Sequence, residues 1–589
     1  MKCFASPVMK RLKERFTRLY GPKEVMKCMN RMEMLIGRYG VSANGIQQKE
    51  LWNEKDAVLI TYGDMVTGPE EKPLHTLKGF LCELLSDAIS TVHILPFFPF
   101  SSDDGFSIID YSTVNEELGN WNDIADIGGS FRLMFDLVLN HVSRQSDWFK
   151  NYIVGISPHR HYFIVVDPKA DLSAVVRPRS APLLTSVKVH DEVEHLWTTF
   201  SEDQIDLNFA NPDVLFEFLD ILLFYIYKGA RIIRLDAIAY LWKEIGTSCI
   251  HLPKAHEIVK LMRDVVEMVA PHMLLLTETN VPNDENLSYF GEGDEAHMVY
   301  QFPLPPLILH GLLTGQTKYL TRWASSLPEL PPGRSFLNFT ASHDGIGVRP
   351  LEGIVPAEEI DQLADIARKR GGRVSTKTNT DGSESPYELN ITYFDALSDT
   401  DTKDEALNVA RFLCSQAVPL VLKGVPAVYF NSLVAAKNDL KGMKKTGAAR
   451  SINRKKWDAK KLFTLLNNTS SVNSRVFNEY VRLLRLRADH PAFHPDGAQR
   501  IVDLGDTVFA IERNSPDGTE TVLAIFNFTA KKVTQSLKGK TSPPGKDAHI
   551  KDLISGKDLG PEINEITLKP YQAVWLSASP KNRNNKTKK

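Results

Sequence analysis

The sequence predicts a closed (β/α)8 barrel of the TIM type, with inserted loop domains, followed by a small antiparallel β domain. Three observations carry this. Eight short apolar runs ending in polar residues recur between stretches of helical spacing, the pattern of parallel βα units. None is followed by GxGxxG or a phosphate-cradling loop, so an open doubly wound sheet lacks support. From about residue 498 the pattern changes to alternating runs divided by turn signals such as SPDG and PPG.

The 589 residues, 43% hydrophobic and 24% charged, suffice for two or three cores. Seventy Lys and Arg against 72 Asp and Glu leave a net charge of -2, so no global field points to nucleic acid or an acidic membrane. A small, nearly neutral partner fits better. No apolar run approaches the roughly 18 residues of a membrane span, and basic residues interrupt MKCFASPVMKRLKERFTRLYG where a signal peptide needs an apolar core. The expected location is the cytoplasm. Five scattered cysteines, with no pair at metal-ligand spacing, read as reduced and structural.

In chain order, residues 1 to 50 read as a helical extension, an amphipathic helix packed on the main domain or a basic membrane-surface or partner helix. Residues 51 to 497 form the barrel. Its expected strands are DAVLITYG (56–63), TVHILPFFP (91–99), FRLMFDLVLN (131–140), ARIIRLDAI (230–238), HMLLLTETN (272–280), MVYQF (298–302), RSFLNFTASHD (334–344) and GVPAVYF (424–430). Two connections, about 143–205 and 345–395, are too long for simple βα loops and read as functional lids. Residues 498 to 580 make the β domain, and 581 to 589 a disordered tail.

Charge inside a buried strand needs a partner. In 230 to 238, alternation puts Ile232, Arg234 and Asp236 on one face, which would line the barrel with its charges at the C-terminal mouth. Polar groups end three other strands in the same way: Asp136 and Asn140, then Glu278, then Ser342 and Asp344. Any one carboxylate could be a helix cap or a surface ion pair. Asp236, Glu278 and Asp344 together, with Arg234 and His343 beside them, would converge at one mouth. Two close carboxylates suit retaining glycoside cleavage, one attacking the anomeric carbon and one protonating the leaving oxygen. Arg234 would hold Asp236 ionised.

The ordered motifs DLVLNH (136–141), RLDA (234–237), TETN (277–280) and SHD (342–344) resemble the four conserved regions of the α-amylase family, glycoside hydrolase family 13. LPFFPFSSDDGFSIIDYSTVNEELGNW (95–121), GTSCIHLP (246–253), SHDGIGVRPLEG (342–353), YELNITYFDAL (387–397) and INRKKW (452–457) are similar to its sucrose phosphorylase subfamily, over roughly residues 50 to 575. The resemblance implies Asp236 as nucleophile, Glu278 as general acid/base and Asp344 as transition-state stabiliser. It also implies that Asp103 and Arg454 hold the far edge of a glucosyl ring, with Phe106 as stacking platform and His141, Arg234 and His343 as further contacts. Phe106 could instead be core, and Arg454 a solvated charge.

A phosphorylase must admit phosphate and disfavour water, which calls for cations around a closed acceptor pocket. The first insertion offers Arg177 and Arg179, the second Tyr387 and Glu388. GTSCIHLP and ASHDGIGVRP look like the branches acting on 2-O-α-D-glucosyl-D-glycerate or sucrose 6′-phosphate, and GGRVSTKTNTDGSESPYELN most resembles the former. Both acceptors are anionic, in keeping with Arg177, Arg349 and Lys377 near the mouth. A glucosyl transfer between a small-molecule glucoside and inorganic phosphate is therefore expected. A plain sucrose phosphorylase, a hydrolase or transglucosidase of the family, and a catalytically dead binding subunit are the alternatives. Many amylases bind calcium through the equivalent of Asn140; phosphorylase-like members generally lack that site, so no metal or cofactor is expected.

Overall fold

Eight parallel strands close into one barrel in chain order: β1 (Val58–Thr61), β2 (Thr91–Ile94), β3 (Arg132–Val138), β4 (Ala230–Asp236), β5 (Leu274–Thr277), β6 (Met298–Tyr300), β7 (Ser335–Phe339) and β8 (Val425–Tyr429), with β1 pairing both β2 and β8. Each falls within one of the eight apolar runs. This computed structural model describes residues 7–39, 50–178, 181–378, 383–399, 404–540 and 548–580. The tail expected at 581–589 lies outside them.

Strands of a barrel are covered on both faces, which explains their continuous aliphatic runs. Every residue of β4 is buried, Arg234 and Asp236 included. Register places Arg234 opposite Asp136 on β3 and Leu276 on β5, so the guanidinium starts beside a carboxylate.

Both long connections carry their own structure. In the first, His141–Ser143 pairs antiparallel with Gln204–Asp206, closing the base of the insertion, and Leu184–Val189 forms a hairpin with Glu192–Trp197. In the second, Ile346–Gly347, Arg373–Thr378 and Glu384–Asn390 make a three-stranded antiparallel sheet beside the helix Ala357–Lys369. A six-stranded antiparallel sheet, with Ala498–Ile501 at one edge and Asp558–Gly560 at the other, forms the C-terminal part.

At the other end, α1 (Pro7–Tyr20) and α2 (Val25–Tyr39) lie on the outer helices Pro253–Val269 and Pro212–Tyr227. The buried stripe of α1, Met9, Leu12, Phe16 and Leu19, has helical spacing, and Phe16 stacks on Phe216 at 5.7 Å. The basic residues of this segment meet acids of the barrel. Buried Arg15 contacts Asp264, Glu257 and Asp294, and Arg31 contacts Asp213 at 2.6 Å. Cys28, Cys249 and Cys414 are buried free thiols, and no described helix is long and apolar enough to cross a membrane.

Candidate active site

A run of charge contacts crosses three neighbouring strands at the C-terminal mouth. His93 Nε2 on β2 lies 2.6 Å from Asp136 Oδ2 on β3. The other oxygen of Asp136 accepts from Arg234 Nη1 on β4, which also donates to Asp236 Oδ1 at 2.7 Å. Each buried charge thus has an opposite neighbour, which is what makes its burial tolerable. Ala237 then turns with φ +51°, a left-handed conformation uncommon for a residue with a side chain. That turn aims its N–H at Glu278 Oε2, 3.1 Å away, just past the end of β5. Glu278 Oε1 is 4.0 Å from Arg234 Nη2, so one guanidinium lies between both carboxylates.

Asp344, beyond β7, forms ion pairs with Arg450 and, at 3.8 Å, with Arg454. Asn453 Nδ2 donates to the carbonyls of Ser342 (2.7 Å) and Asp344 (3.0 Å), fixing the loop that carries Asp344. Arg454 Nε donates to the His343 carbonyl at 2.9 Å, while Nη1 reaches Asp104 at 2.7 Å and Asp103 at 3.3 Å. Asp103 and Asp104 both have positive φ, +52° and +48°, so this edge is strained as well as charged. Phe106 lies parallel to His343 with ring centres 4.7 Å apart, and the Arg234 guanidinium stands 5.7 Å from its ring centre. His141 Nε2 is 2.9 Å from the Phe106 carbonyl. Behind it, the buried Lys243 ammonium bonds both Asn140 Oδ1 and Asp206 Oδ2 at 2.6 Å, filling the space beside Asn140 with the protein's own cation.

The carboxylates divide electrostatically. Burial raises Asp236 and Glu278 above the ordinary range, Arg234 opposes it, and the charge of Glu278 raises Asp236 further. The pair therefore keeps a proton near neutral pH. The 2.7 Å contact of Arg234 with Asp236, against 4.0 Å to Glu278, favours the charge on Asp236 and the proton on Glu278. Burial works against ionisation of Asp344 too, but Arg450, then His343 and Arg454, outweigh it and hold that carboxyl well below the usual range. Burial pushes the His343 imidazole down to about 3, so it is neutral.

One cavity is lined by Asp103, Phe106, His141, Arg234, Asp236, Glu278, His343, Asp344 and Tyr387, nine of the residues expected at the site. Arg454 is buried behind it, holding Asp103 and the His343 carbonyl. Glu388 is buried in a two-bond pair with Arg450, at 3.0 and 2.6 Å, and turns its charge onto that arginine. Arg177 is exposed and donates to the Ala181 carbonyl, away from the cavity wall, and Arg179 lies outside the described residues. Sequence reasoning missed His93, Arg450, Tyr240 and Asn280. His93 carries the same signal that exposed Arg234, an ionisable group inside a buried four-residue strand. Arg450 precedes Arg454 by four residues in the run ARSINR. Tyr240 and Asn280 carry no comparable signal.

Residues 83–320 match the model of the α-amylase catalytic domain. The chain is 46% identical over 533 residues to a glucosylglycerate phosphorylase of Escherichia coli K12, covering 90% of this chain and 93% of that one. It is 48% identical over 531 residues to a glucosylglycerate phosphorylase of Spirochaeta thermophila, covering 89% and 90%. Among solved structures, the sucrose 6F-phosphate phosphorylase of Thermoanaerobacter thermosaccharolyticum superposes with a TM-score of 0.70 at 27% identity, covering 82% of this chain and 96% of that one.

Proposed function

The chain belongs to the α-amylase family, glycoside hydrolase family 13, within its glucosylglycerate phosphorylases; from that premise we infer that it moves a glucosyl group from 2-O-α-D-glucosyl-D-glycerate to phosphate with retention. The products are α-D-glucose 1-phosphate and D-glycerate.

Asp236 attacks the anomeric carbon as the bond to the glycerate oxygen breaks, and Glu278 gives that oxygen its proton. The result is a β-glucosyl ester on Asp236. Phosphate then attacks the same carbon, the ester bond breaks, Asp236 leaves as carboxylate, and the proton of the attacking phosphate returns to Glu278. The sugar passes twice through an oxocarbenium-like state. Asp344, kept ionised by Arg450 and Arg454, grips the hydroxyls of the ring there. Asp103 and Arg454 hold the far edge of the ring, Phe106 stacks on it, and His141 and His343 bond its hydroxyls. Arg234 stops Asp236 from capturing the proton needed on Glu278. Tyr387 and Glu388 belong to the phosphate and acceptor side, Glu388 acting through Arg450.

The convergence of Asp236, Glu278 and Asp344 on one cavity carries the reading. Product analysis tests it: glucosylglycerate and phosphate should yield glucose 1-phosphate and glycerate in equal amounts. Free glucose formed at a rate independent of phosphate would make the protein a hydrolase instead.

A further inference from the structure

Three cations named from sequence could greet an acidic acceptor, and the structure separates them. Lys377 is neutralised by Glu352 at 2.6 Å. Arg177 is exposed and spent on a backbone carbonyl. Arg349, in the short helical turn Arg349–Leu351, is half-buried, and among the described residues no carboxylate holds it. It bonds the side chain of Tyr240, which lines the cavity. Its Nε is buried without a hydrogen-bond partner. A half-buried arginine with an unused planar edge is costly unless something planar and anionic meets it.

A second orphan lies alongside. Asn280, which also lines the cavity, has its Oδ1 buried without a partner. The backbone of Gly347, two residues before Arg349, passes so close to that amide that a Cβ would come 2.7 Å from Asn280 Nδ2. The orphan amide, which lines the cavity, and the orphan guanidinium, which reaches the lining through Tyr240, are therefore joined by one short segment. Arg450 is no rival, since both Asp344 and Glu388 hold it.

We propose that Arg349, flanked by Tyr240 and Asn280, reads the carboxylate of the acceptor hydroxy acid, with Asn280 bonding one of its hydroxyls. This rests on the reading of the enzyme as a phosphorylase of an acidic glucoside. The free Nε and a neighbouring Nη would take the two carboxylate oxygens together, leaving the glycerate 2-oxygen toward Glu278. Phosphate is also an anion, so the test separates the two.

Wild type, Arg349→Gln and Arg349→Lys are compared in the synthetic direction, with glucose 1-phosphate as donor and D-glycerate or neutral glycerol as acceptor. Arg349→Gln should raise KM for D-glycerate by about tenfold or more. Its kcat, its KM for glucose 1-phosphate and its use of glycerol should stay within about twofold, and Arg349→Lys should recover part of the loss. Exchange of labelled phosphate into glucose 1-phosphate without glycerate should be unchanged. An equal fall in that exchange assigns Arg349 to phosphate and overturns the proposal, as does an equal loss with glycerate and glycerol. If wild type uses D-glycerate and Arg349→Gln matches it, this proposal alone fails. If wild type does not use D-glycerate, the reading of the enzyme fails with it.

Discussion

The two halves of the cavity are built differently. The donor half stands on strand ends: β2, β3 and β4 supply His93, Asp136, Arg234 and Asp236 in a run where each charge has an opposite neighbour. The acceptor half hangs on loops and holds unfinished chemistry, an amide oxygen and a guanidinium nitrogen buried without partners. Both halves keep buried polar atoms without partners, Arg234 Nε and His93 Nδ1 in the donor half among them, yet the donor half sets Arg234 between two carboxylates while among the described residues no carboxylate holds Arg349. Groups that must keep a set protonation state are fixed by rigid neighbours, because a transition state rewards charges already in place. Groups that only recognise can wait for the ligand to complete their bonds, so specificity can change there without disturbing the chemistry.

That contrast fails first if Asp236 can be spared. Asp236→Asn keeps the shape and removes the carboxylate proposed as nucleophile, and turnover to glucose 1-phosphate should fall by about 10⁴-fold or more with the circular dichroism spectrum unchanged. The next largest effect belongs to Asp136, which should show as stability as well as rate. Asp136→Ala strands Arg234 and His93 in the interior and should cost about 3–5 kcal/mol in denaturant titration. His343 sharpens the comparison through pH. It is fully buried among Asp344, Arg454, Arg234 and Asp136, and it titrates at about 3 in the fold against 6.5 in a free chain. Below pH 6.5 the unfolded chain takes a proton that the folded one refuses, so this stability is intact above 6.5 and drains away as pH falls toward 3. At about 1.4 kcal/mol per pH unit the loss is about 2 kcal/mol by pH 5. His343→Gln should lose less melting temperature than wild type between pH 7 and pH 5. Smallest of all, Lys377→Ala removes a pair whose acidic partner, Glu352, is exposed; it should shift stability by at most about 0.5 kcal/mol and leave KM for D-glycerate unchanged.

The barrel was legible because its strands are buried on both faces and announce themselves as apolar runs; all eight fall where the runs lie. The trio was legible for the opposite reason, since Asp236 interrupts such a run and Glu278 and Asp344 end two others. Arg450 and Glu388 were harder. Their bidentate contact joins a strand of the second insertion to a short helical turn 62 residues further on, and no periodicity links the two. Tyr240 and Asn280 owe their place to turns whose course follows from tertiary packing, so their roles emerge only in three dimensions. Arg177 shows the converse: a basic motif at a promising position, bent back on its own loop.

The N-terminal hairpin has a consequence for how the chain is made. Arg15 finds Asp264 across 249 residues of sequence, and the apolar stripe of α1 is covered by the same helix, Pro253–Val269. At about 5–20 residues per second, the ribosome needs roughly 12–50 s to deliver that covering surface after α1 has emerged. Throughout that interval α1, with its stripe of Met9, Leu12, Phe16 and Leu19, lacks this covering helix.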